Sequence, residues 1–126
     1  MKRILIIDDD KRFRLLLSRL LKKRFRLEVS EANNGLEGLE LFKKERPNLI
    51  FLDITMPVMD GLEFLTHMRE IDKDTPVVII SCVSHRDCVQ QIVQLGISDY
   101  VVKAETVLRL EERLFEIFEK NKSAFK

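Results

Sequence analysis

Cysteine is scarce in this 126-residue chain: there are two, Cys82 and Cys88. That number makes no disulfide framework, and both read as small apolar fillers. Long hydrophobic runs are also missing. The first apolar run, Ile4-Leu5-Ile6-Ile7, meets three aspartates after four residues. It is too short for a signal-peptide core, and no segment is long enough to span a bilayer. No membrane association is therefore expected, and the expected compartment is the cytoplasm. Repeats and low-complexity tracts are absent. So is an overall excess of one charge sign: 22 Lys and Arg stand against 21 Asp and Glu, for a net charge of +1. That balance argues against a dedicated nucleic-acid binder. What remains is a chain of single-domain size. It is 45% hydrophobic, enough for a core, and 34% charged, which gives a highly charged surface.

Apolar runs alternate with helical patterns along the chain. Ile4–Ile7 reads as a buried strand, and Asp10 caps a helix carrying Phe13, Leu16, Leu17, Leu20 and Leu21. The alternation in Arg26-Leu27-Glu28-Val29-Ser30 predicts a short strand nearer an edge. Asn33-Asn34-Gly35 opens a second helix with Leu36, Leu39 and Phe42 inward, weakened by about 1 kcal/mol at Gly38. Leu49-Ile50-Phe51-Leu52 runs uninterrupted into Asp53, as a strand buried on both faces does. Pro57 and Gly61 mark a turn, and Asp60 caps a third helix with Glu63 at the capping-box position. Val77–Ser81 gives a fourth strand, Ser84 and Asp87 open a fourth helix ending at Gly96, and Asp99–Lys103 gives a fifth strand. The last helix carries Leu108, Leu114, Phe115 and Phe118. Five strand–helix units in so short a chain imply a doubly wound α/β fold: a five-stranded parallel sheet in the order 2-1-3-4-5, with five flanking helices.

That topology brings polar groups to one edge. Strand 1 ends in Asp8-Asp9-Asp10 and strand 3, its neighbour, in Asp53; strand 4 ends in Ser81 and strand 5 in Lys103. Two carboxylates about 4 Å apart repel by roughly 4 kcal/mol at an effective dielectric of 20, so the cluster must hold a proton or a cation. Hard oxygen donors suit Mg²⁺. With Lys103 as a second positive charge the edge suits an incoming phosphoryl group, and a carboxylate can act as the nucleophile.

These motifs, above all Leu52-Asp53-Ile54-Thr55-Met56-Pro57-Val58-Met59-Asp60-Gly61 together with Ile6–Asp10, Ile80-Ser81 and Asp99–Lys103, resemble the receiver domain of two-component response regulators. The resemblance covers residues 2 to 119, and its fold is the flavodoxin-like arrangement. Residues 1–120 would be the receiver domain and 121–126 a short polar tail. It implies that Asp53 is the phosphoacceptor, that Asp8 and Asp9 position Mg²⁺ with Asp9 the direct ligand, and that the backbone carbonyl of Thr55 completes the metal set. Lys103 would contact the phosphoryl group, Ser81 would be the switch hydroxyl, and Tyr100 the aromatic that turns with it. The implied donor is a phosphohistidine on a sensor histidine kinase or histidine phosphotransfer protein. The implied readout is a downstream protein partner at the surface of the fourth helix, fifth strand and fifth helix. Phosphotransfer would be self-catalysed, without turnover of a separate substrate.

Some positions depart from that pattern. Ala104 follows Lys103 where the family has proline, commonly in a cis bond, so a trans bond and an altered loop are expected. Val83 offers no hydrogen bond to an attacking water and Thr55 only a hydroxyl, which predicts slow self-dephosphorylation. Between Lys11 and Arg26 stand eight basic residues and no acid, read as a solvated face with favourable cations at a helix end, or else as a docking surface for an acidic partner. His67 and His85 have no metal spacing and read as surface residues. Two other functions compete: a non-phosphorylated interaction module of the same fold, and an aspartyl-phosphate phosphatase, for which Asp8 and Asp10 have the spacing but Arg12 stands where Thr or Val would be expected.

Overall fold

The computed structural model describes residues 2–54, 56, 58–81, 94–103 and 106–125. Strands β1 (Arg3–Ile7), β2 (Glu28–Ala32), β3 (Leu49–Asp53), β4 (Val77–Ser81) and β5 (Asp99–Val102) alternate with helices α1 (Lys11–Phe25), α2 (Gly35–Glu45), α3 (Gly61–Ile71) and α4 (Val107–Lys120). A 3-10 turn, Lys122–Phe125, closes the chain. The strands form one parallel sheet in the expected order β2-β1-β3-β4-β5. Four helices are described where five were expected. The helix placed between Ser84 and Gly96 falls almost wholly outside the described residues, as do Cys82, Cys88, Val83, His85 and the Lys103–Ala104 bond.

Strand residues alternate between two packed layers. Leu5, Ile7, Ile50, Leu52, Val77 and Ile79 meet α2 and α3 through Phe42, Phe64, Leu65 and Met68. Ile4, Ile6, Leu49, Phe51, Val78 and Ile80 meet α1 and α4 through Phe13, Leu17, Leu21, Leu110, Leu114 and Ile117. This explains why β1, β3 and β4 read as unbroken apolar runs: both faces are covered. One helix face differs from the sequence reading: Leu36 lies on the exposed side of α2. On α4 Leu108 and Phe115 are exposed, and the buried stripe is Leu110, Leu114 and Ile117.

The helix starts follow from local chemistry. The Asp10 carboxylate accepts from the amides of Arg12 and Phe13, Asn34 from Glu37 and Asp60 from Glu63, each satisfying a first-turn donor. Gly38 sits against Ile7, whose side chain fills the space a Cβ would take, so the helix keeps a glycine to approach the sheet. Arg26 ends α1 in the left-handed region at φ 54°, and β2 therefore starts at Glu28 instead of Arg26. At the far end of α3, Arg69 donates to the carbonyls of Leu95, Gly96 and Asp72 at 3.0, 2.7 and 3.2 Å, fastening the chain that leads into β5. No described helix is long and apolar enough to cross a membrane.

Candidate functional site

The carboxyl ends of β1 and β3 lie side by side, with Ile7 paired to Leu52. Each strand runs straight into an acid: Asp8 follows β1 and Asp53 is the last residue of β3. One carboxylate oxygen from each of Asp8, Asp9 and Asp53 lies within 4.8 Å of the others. Asp8 and Asp53 are buried, whereas Asp9 is exposed.

Lys103, just beyond β5, reaches into this cluster. Its amide donates to the Ser81 carbonyl at 2.8 Å, which extends the β4–β5 ladder and aims the side chain inward. Its Nζ lies 2.8 Å from both oxygens of Asp8, with the hydrogen bond directed at Oδ1, and 3.4 Å from Asp53 Oδ2. The ammonium also stands 5.4 Å from the centre of the Phe13 ring, a cation–π contact. Burial works against its charge, but the hydrogen bond and charge of Asp8, then those of Asp53, prevail and hold its pKa above the usual lysine value.

Asp53 shows the opposite balance. Burial, then the charge of Asp8 and a hydrogen bond with it, push its carboxyl up to about 7, and Lys103 offsets only part of this. Asp8 Oδ2 is buried and receives no directed hydrogen bond, although the ammonium is close. Three carboxylates that converge within 4.8 Å, two of them buried and with one side open at Asp9, are a donor set that fits a small hard divalent cation.

The loop between β3 and α3 is held by backbone contacts. Gly61 N–H donates to the Ile54 carbonyl at 2.9 Å and Gly35 N–H to that of Met59 at 3.1 Å. Val58 and Met59 both have positive φ, 51° and 66°. Ser81 is buried at the end of β4 and pairs with Val102. Tyr100 is half-buried on β5 against the α2–α3 layer. Thr55, expected to lend its carbonyl, is outside the described residues. His67 is exposed on α3.

Sequence reasoning missed one neighbour of the cluster. Arg14, read as one of a solvated basic series, donates from Nη1 to the Asp8 carbonyl at 2.6 Å and from Nε to Glu31 at 3.0 Å. The available signal was its place on α1, next to Phe13 and three residues before Leu17, on the margin of the buried stripe.

A doubly wound parallel sheet with clustered carboxylates and a lysine at its carboxyl edge defines a phosphoryl-handling switch module. Residues 4–115 match the family model described as the response regulator receiver domain, and the chain belongs to that family. It is 36% identical over 101 residues to the chemotaxis protein CheY of Bacillus subtilis (strain 168), covering 80% of this chain and 84% of that protein. It is 36% identical over 102 residues to sporulation initiation phosphotransferase F of the same organism, covering 81% and 82%. Among solved structures, the chemotaxis protein CheY4 of Vibrio cholerae superposes with a TM-score of 0.81 at 28% identity, covering 93% of this chain and 98% of that one. The chain is thus a phosphoacceptor module of two-component signalling. Membership carries interaction with histidine kinases or phosphotransfer proteins and with downstream targets. Receiver domains generally bind Mg²⁺ through acidic residues, and an aspartate cluster of that kind is present here.

Proposed function

We propose that Asp53 is the residue that accepts the phosphoryl group, from a phosphohistidine on a sensor kinase or phosphotransfer protein. One Asp53 oxygen attacks phosphorus, a P–O bond forms as the P–N bond breaks, and the imidazole nitrogen keeps the bonding pair. The observation that carries this reading is the convergence of three carboxylates within 4.8 Å beside an ammonium held between two of them. Asp8, Asp9 and Asp53 are the side chains that would hold Mg²⁺, joined by the Thr55 carbonyl. When bound, the ion supplies charge neutralisation and orientation for the phosphoryl oxygens. Lys103 keeps Asp8 and Asp53 close despite their repulsion and offers its protons to the added oxygens. Ser81 is the hydroxyl proposed to follow the new charge, with Tyr100 turning in behind it. The surface of β5, α4 and the segment before β5 would then meet the downstream partner, a local charge event read out by packing. Slow loss of the group is expected from Thr55 and Val83, and the proposed compartment is the cytoplasm.

Intact-mass measurement after treatment with acetyl phosphate and Mg²⁺ tests the assignment. The parent should gain one phosphoryl mass and Asp53→Ala none. Equal gain by both proteins sinks it.

A further inference from the structure

Seven of the eight basic residues between Lys11 and Arg26 are exposed; Arg14 is not, with 15% of its side chain accessible. Its guanidinium forks between two acceptors, the Glu31 carboxylate on β2 and the backbone carbonyl of Asp8. That carbonyl belongs to the Asp8–Asp9 peptide, which is a rigid plane. The other contacts of Asp8 are also committed: its amide donates to the Ala32 carbonyl at 3.0 Å, and its Oδ1 accepts from the Asp10 amide at 2.9 Å and from Lys103. Asp9 is the exposed member of the acidic cluster, and the peptide plane before it carries its Cα and so places the point from which its side chain projects. We infer that Arg14 is a positioning residue for metal binding: by clamping the Asp8 carbonyl against Glu31 it fixes the Asp8–Asp9 peptide and so presents the Asp9 carboxylate to the cation.

Charge alone makes the opposite claim. A guanidinium beside the cluster repels a divalent ion, so its removal should tighten binding. Positioning predicts weaker binding, because groups that orient metal ligands typically contribute about 10–100-fold in affinity. The inference rests on the metal reading above, and one titration separates the two. Calorimetric titration of MgCl₂ into the parent, Arg14→Gln, Arg14→Lys and Arg24→Gln, with melting curves for each, gives the answer. Arg24 is an exposed cation of the same helix, paired with Glu111 at 3.3 Å, and controls for lost charge. Affinity should fall about tenfold or more in both Arg14 variants, since one ammonium cannot reproduce the fork, and stay at the parent value in Arg24→Gln. Equal or tighter binding by Arg14→Gln overturns the inference alone. Absence of binding by the parent overturns the metal reading and this inference with it. If Arg14→Gln does not fold, Arg14→Lys decides, and an affinity within about twofold of the parent counts against the clamp.

Discussion

Asp53 carries a conflict between burial and charge that pH exposes. Its carboxyl titrates at about 7 in the fold against an ordinary value of 3.8. Between those values the folded protein keeps a proton that the unfolded chain has released, so this group's stabilisation is complete below about pH 4 and is lost as pH rises through 7. In metal-free buffer Asp53→Asn should therefore raise stability at pH 8 by about 2–4 kcal/mol and by less than half as much at pH 5. Melting temperatures at the two pH values check this, and equal gains at both would refute it. A second residue bears strain of another kind. Val58 is β-branched, exposed and at φ 51°, a region that costs an L residue roughly 1–2 kcal/mol. Val58→Gly should raise the urea midpoint by the equivalent of about 1 kcal/mol; an unchanged or lower midpoint argues against strain there.

At the scale of elements, the approach of α3 to β3 sets the position of Asp53. A Cβ on Gly61 would lie 2.3 Å from the Asp53 carbonyl oxygen, an atom of the backbone, whereas one on Gly38 would meet the end of the Ile7 side chain. Gly61→Ala should cost about 2–3 kcal/mol and slow acetyl-phosphate labelling of Asp53, and Gly38→Ala should cost less because a side chain can move aside. Chemical denaturation and labelling rates test the order; equal costs would show that the loop yields as easily as Ile7. The same elements show what the sequence makes legible. The strands and the caps Asp10 and Asp60 could be read because their signals are local: apolar runs, and a carboxylate three residues before a free amide. Helix faces were harder. Leu108 and Phe115 fit a helical repeat as well as Leu110, Leu114 and Ile117 do, and only the sheet selects the stripe. The turn at Arg26 has a left-handed cap without glycine, so nothing in the sequence marks where β2 begins.

At the scale of the whole molecule, the site depends on strand order more than on any motif. Lys103 and Asp8 are 95 residues apart, and only the 2-1-3-4-5 order brings them together; Arg14 escaped notice because a basic series does not reveal which member turns inward. The opposite end of the sheet is closed by the chain terminus. Phe125 meets Phe118 edge-on at 5.4 Å, Phe118 packs on Phe25 at 4.9 Å, and Asn48 donates to the Ala124 carbonyl at 3.0 Å. Residues read as a polar tail thus include an aromatic contact, and Phe125→Ala should lower stability by about 1 kcal/mol without changing Mg²⁺ affinity. Denaturation with a parallel MgCl₂ titration checks both, and loss of metal binding would contradict the separation of the two ends. Finally, Asp53 is only 6% exposed while Asp9 and Asp10 stand at the surface. The proposed acceptor cannot come out to meet its donor. A partner must deliver its cargo on a protruding arm, and one that keeps its phosphorus inside a cleft of its own cannot complete the exchange, however well the two surfaces match.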